Sequence, residues 1–264
     1  MMSTPNVPVR FEFSVELPGT PEEVWQAIAT GRGLTAWSMP TELDERAGGE
    51  FVIHMGETSA RGVVATWEPP NRLVLEEAEW SALAGHEGAD VTPLVTEYLV
   101  EAASGGSCVL RIVSSAFGTG AEWEREFMDD AERYWQPQFD NLRLYLTTFT
   151  GQHATVVESG TEVHGEPATV LSAMCHRFGV AGIGDSLDVH GIAGRVEKRS
   201  DLGILVRYTE PECGFLNMMS YPNGPDTAYA LARAYLFGVR AAELAATHEA
   251  SWKEWFADLP AAVC

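Results

Sequence analysis

The chain has 264 residues, 45% apolar and 10% aromatic, with 25 Gly and 14 Pro, which excludes disordered, collagen-like and coiled-coil classes. Its length suits one large domain or two smaller ones. The net charge of −21, with Lys198 and Lys253 as its only lysines, disfavours nucleic acid and anionic membranes as partners.

In chain order, Val9, Phe11, Phe13, Val15 and Leu17 alternate with polar residues, the pattern of a strand with one wet face. Thr20-Pro21-Glu22-Glu23 predicts a helix start with Thr20 as N-cap, Pro21 at N1 and Glu23 closing a capping box. Gly31 and Gly33 end that helix, and a second short one is expected around Leu34–Ser38. Strands are expected at Glu50–Met55, Arg61–Trp67 and Arg72–Trp80, then, after a polar loop, at Leu94–Ala102 and Ser107–Phe117 around the hairpin signal Ser104-Gly105-Gly106. From about Ala121 to Phe149 apolar residues recur at helical spacing, with Pro137 as a candidate kink. Short connections make the sheet antiparallel, so 9–149 reads as an α+β layer fold.

A second part starts at Gly151, giving expected domains 1–150 and 151–264. Ala154–Val163 reads as a strand, and Glu166-Pro167 opens a helix to about Phe178. Asp188–Arg199, Gly203–Thr209, Phe215–Tyr221 and Tyr229–Phe237 read as strands, and Val239–Leu259 as a closing helix. The element order nearly repeats that of the first part. Trp135 follows Phe117 by 18 residues, and Trp255 follows Phe237 by the same 18. These matches predict a trimmed, degenerate second copy, 26 residues shorter between its helix start and its final Phe-Gly.

Several ordered motifs carry a family likeness. They are Thr20-Pro21-Glu22-Glu23-Val24-Trp25, Leu34-Thr35-Ala36-Trp37, Gly48-Gly49-Glu50-Phe51, and Gly62-Val63 leading to Trp67-Glu68-Pro69-Pro70-Asn71-Arg72-Leu73. Thr96-Glu97-Tyr98-Leu99, Gly105-Gly106-Ser107-Cys108-Val109-Leu110, and Trp135 with Leu142 complete the set. Residues 9–149 thereby resemble the SRPBCC (START/Bet v1-like, helix-grip) superfamily, in the branch named after the activator of the ninety-kilodalton heat-shock protein's ATPase. The family's Thr-Arg pair in the last hairpin is Ser107-Cys108 here. The resemblance implies a curved antiparallel sheet gripping a long C-terminal helix around an apolar cavity for a lipid- or polyketide-like molecule. As second and third readings it admits a co-chaperone module acting on a chaperone ATPase, and a cyclase or hydratase.

The candidate lining is Trp37, Trp67, Trp80, Phe117, Trp123, Phe127, Trp135 and Phe139, concentrated where helix and sheet would face each other. His54 is the one candidate for orienting a ligand or moving a proton, if its strand turns it inward. Arg61 and Arg111 read as surface ion-pair partners. The acid clusters Glu76-Glu77-Glu79 and Glu122–Asp130 read as solvated surface, the second also offsetting a helix dipole.

Gly184-Asp185-Ser186-Leu187 matches an esterase block, but Asp188-Val189-His190 has the wrong spacing to complete a triad, so a turn is expected. No metal-spaced His or Cys set and no phosphate loop stands out, so neither metal nor cofactor is expected. Cys108, Cys175, Cys213 and Cys264 form no CxxC, and no run reaches the ~18 apolar residues of a membrane span. The expectation is a cytoplasmic protein with reduced thiols, binding a hydrophobic small molecule non-covalently.

Overall fold

The computed structural model describes residues 6–56, 58–189, 192–210 and 214–259. His190, Cys213 and Cys264 lie outside the described residues. The chain divides into two compact units, Met1–Gly151 and Gln152–Cys264.

The first unit opens with β1 (Val7–Pro18), whose alternation buries Phe11 and Leu17 and leaves Glu12 and Glu16 outside. Thr20 then caps α1 (Pro21–Ile28). Its hydroxyl accepts from the Glu23 N–H at 3.3 Å, and the Glu23 carboxylate accepts from the Thr20 N–H at 2.8 Å. The next helix, α2 (Gly31–Thr35), begins earlier than its glycines suggest. Thr30 Oγ1 accepts from the Gly33 N–H at 2.9 Å, and a Cβ at Gly33 would lie 2.0 Å from Gln26 O. Those glycines therefore permit a tight helix-to-helix junction.

The strands β2 (Thr41–Leu43), β3 (Glu50–Met55), β4 (Thr58–Glu68) and β5 (Arg72–Glu77) follow. Trp80 is not the end of β5. It opens the single helical turn α3 (Trp80–Leu83), where its indole N–H donates to Thr92 O at 2.9 Å. β6 (Leu94–Ala102) and β7 (Ser107–Gly118) form the expected hairpin, with Gly105 and Gly106 at φ of 79° and 80°. All strand pairings are antiparallel, in the order β1-β7-β6-β5-β4-β3-β2. The expected long helix is two: α4 (Glu122–Trp135) and α5 (Gln138–Thr148), broken at Gln136-Pro137.

The second unit comprises β8 (Thr155–His164), α6 (Pro167–Arg177), β9 (Ser186–Val189), β10 (Ile192–Arg199), β11 (Gly203–Glu210), β12 (Gly214–Pro222), β13 (Thr227–Leu236) and α7 (Ala241–Ala257). The single strand expected at Asp188–Arg199 is instead divided between the antiparallel pair β9 and β10. Strand order is β8-β13-β12-β11-β10-β9. In both units the first strand pairs with the last, and the rest run back in sequence order.

The core of this unit explains the alanines of β13. Ala228, Ala230, Ala232 and Ala234 are fully buried and share one face, against which α6 packs. Small side chains let the helix approach the sheet closely. Arg233 on the other face is 5% exposed and ion-paired to Glu158 of β8 at 2.5 Å. Burial opposes its charge, but Tyr235 and Glu158 outweigh that and raise its pKa.

Candidate functional site

The helix-covered face of the first sheet can be read from its register. One cross-strand row runs Phe13, Ile112, Tyr98, Leu73, Trp67; the next runs Phe11, Ser114, Thr96, Leu75, Val64. Further along, Val9 pairs with Ala116, and Leu94 with Glu77. These residues share the face that α4 and α5 cover at β1.

The two helices close this face unequally. Under α5 it is packed shut, for Phe139, Leu142 and Tyr145 are buried. The Phe139 ring contacts Phe13 at 5.4 Å and Trp37 at 5.5 Å. Along α4 the corresponding residues Trp123, Phe127, Ala131 and Trp135 are only half-buried. Trp135 meets Phe11 edge to face at 5.7 Å, and Trp123 and Phe127 lie 5.4 and 5.0 Å from Trp80.

Polar groups interrupt this apolar face in the middle of the sheet. Thr96 and Ser114 share a hydrogen bond of 2.5 Å between their hydroxyls. Glu77 lies diagonal to Thr96, and Tyr98 follows Thr96 on the same face. Glu77 and Tyr98 are deep enough that loss of solvent shifts both, yet both are half-buried by surface area. Burial raises the Glu77 carboxyl from its usual 4.5 to about 7, and burial, with Glu77 nearby, pushes the Tyr98 phenol up. Near neutral pH Glu77 can thus give or take a proton, and Tyr98 is a hydrogen-bond donor.

The aromatic candidates sort by this geometry. Trp37, Trp80 and Phe139 are buried wall, with the Trp37 indole N–H donating to Ala27 O at 2.9 Å. Trp123, Phe127 and Trp135, all on α4, are half-buried. Trp67 lies at the margin, edge to face with Trp25 at 5.0 Å. Two expectations need correction. Phe117 is 48% exposed, because β7 buries its even-numbered residues from Cys108 to Gly118 and turns Phe117 to the opposite face. His54 also points outward, since Phe51 takes the inner face of β3. Its imidazole Nε2 contacts the exposed Glu42 carboxylate at 3.1 Å.

Sequence reasoning missed Glu77 and Tyr98. The signal was present, for Leu73, Leu75 and Glu77 share strand parity, but Glu77 was read with its acidic neighbours as solvated surface. Glu124, in the other acidic cluster, is 0% exposed. It accepts from Thr119 N and Oγ1, both at 2.8 Å, and Gly120 N at 2.9 Å. Burial works to raise its pKa, but these bonds outweigh it and the net shift is downward. It fixes the turn into α4.

Among the described residues no three His, Cys, Asp or Glu side chains group as a metal site, and no helix is long and apolar enough to cross a membrane.

The first unit is thus an α+β fold in which C-terminal helices pack against β1 of a large antiparallel sheet. Residues 18–147 match the family described as "Activator of Hsp90 ATPase homolog 1-like protein", and the N-terminal unit is an SRPBCC-type domain of that kind. Among curated proteins no sequence matches this chain. Solved structures similar to it include the di-domain ARO/CYC BexL from the BE-7585A biosynthetic pathway. That likeness has 13% identity and a TM-score of 0.44, and covers 95% of this chain and 93% of that one. Protein MLL2253 from Mesorhizobium loti has 19% identity and a TM-score of 0.45, covering 53% and 98%. The Aha1 dimer from Colwellia psychrerythraea has 15% identity and a TM-score of 0.43, covering 54% and 99%.

Proposed function

We propose that the N-terminal unit binds a largely apolar small molecule between its sheet and α4, without covalent chemistry. One observation carries this reading: Glu77 and Tyr98 stand deep in an apolar sheet face and remain partly accessible. Trp123, Phe127 and Trp135 supply apolar contact, while Glu77 and Tyr98 offer hydrogen bonds to one or two ligand oxygens. The shared strand order of the units supports reading 152–264 as a trimmed copy of the same fold. The protein's place in this reading is the cytoplasm.

A lipophilic fluorophore titrated into the protein tests the site. Saturable binding should weaken about tenfold in Tyr98→Phe with Glu77→Leu, since each lost hydrogen bond is worth roughly 0.5–1.5 kcal/mol. Equal binding by parent and double variant would remove the site. The family description favours one second reading, stimulation of a chaperone ATPase. It requires increased ATP hydrolysis when the protein is added to such a chaperone, and an unchanged rate at saturation would discard it.

A further inference from the structure

A recess elsewhere on the first unit is lined in part by Trp67. Helix α1 presents Glu22 and Gln26 one turn apart, with Trp25 between them turned inward at 3% exposure. The Trp67 ring meets Trp25 edge to face, with centroids 5.0 Å apart and planes at 72°. Pro69, Pro70 and Glu45 complete a recess of about 370 Å³. The recess is open to solvent on one side, so it suits a small ligand that stays partly hydrated. Neither α4, Glu77 nor Tyr98 contributes to its lining.

The chemistry of these walls is selective. Two exposed carboxylates repel anions, and no basic residue lines the recess to neutralise them. Arg46, beside Glu45, is held by Asp44 at 3.1 Å, and Glu23, beside Glu22, is committed to the α1 cap. The remaining walls are indole, proline and the amide of Gln26; the indole attracts positive charge through its ring face, while indole and proline offer little to replace the water shell of a bare ammonium. A methylated ammonium is weakly hydrated and loses less on entering.

We propose that this recess between α1 and the Trp67–Pro70 turn binds a small-molecule cation bearing a methylated ammonium group. The probe is tetramethylammonium chloride, added to the full-length chain at constant ionic strength against sodium chloride. Binding is read by saturation transfer to its methyl protons in NMR. The expected result is saturable transfer, with affinity reduced about fivefold or more in Trp67→Leu and in the double variant Glu22→Gln, Glu45→Gln. Both glutamates are exposed, so the double variant should keep the parent melting temperature and separate site loss from unfolding. Non-saturable transfer, or equal affinity in parent and double variant, overturns the proposal. The second outcome would mean that the cation merely samples the acidic surface.

Discussion

Glu77 shows how one residue's setting reverses its meaning. In sequence it is one of three acids in four positions; in the fold it shares a sheet face with Leu73 and Leu75. Its carboxyl is held at about 7 against 4.5 when unfolded, so between these values the folded state keeps a proton that the unfolded state releases. Stability must therefore fall as pH rises through that window. Chemical denaturation at pH 4.5, 6 and 7.5 should show this decline in the parent and a flatter profile in Glu77→Gln. Parallel profiles would mean that Glu77 ionises freely. The misplacing of Phe117 and His54 has the same root. Both types suit a pocket wall, but parity counted from buried neighbours, Ala116 and Phe51, turns them outward. Side-chain type was legible, whereas the facing depended on which neighbour the core claims.

At the scale of elements, local chemistry was the most readable. The period-two pattern of β1 and the capping box of α1 need only adjacent residues, and both are present in the fold. Thr20→Ala removes one of two reciprocal hydrogen bonds at the cap. The expected cost is about 1 kcal/mol in the unfolding free energy, with no change in strand content by circular dichroism. No measurable loss would show that packing of Val24, Trp25 and Ile28 alone fixes the helix. The elements that escaped the reading depend on distant partners. β2 is three residues long and exists through its pairing with β3. Trp80 has strand-like neighbours, yet its hydrogen bond to Thr92 and its contacts with Trp123 and Phe127 draw it into α3. The break between α4 and α5 was marked by Pro137, and it separates a half-buried helix from a fully packed one.

At the scale of the whole chain, the two units share a winding rule and differ in size: among the described residues, seven strands in the first and six in the second. The excess negative charge is concentrated in residues 1–150, at −15 of the total −21. Those acids are mostly on outward faces, so charge filters partners at the surface and leaves the helix-covered face apolar except for its few polar groups. The fold follows from patterns that recur along the sequence; the site depends on the few inward positions where those patterns carry polar side chains. The central claim is occupancy of that face. Native mass spectrometry of gently purified full-length protein measures it most directly. The account predicts a retained apolar species that dissociates on denaturation and is reduced in the Glu77→Leu, Tyr98→Phe variant. Repeated preparations at the bare chain mass, with no added lipophilic compound retained by the parent protein, would contradict it.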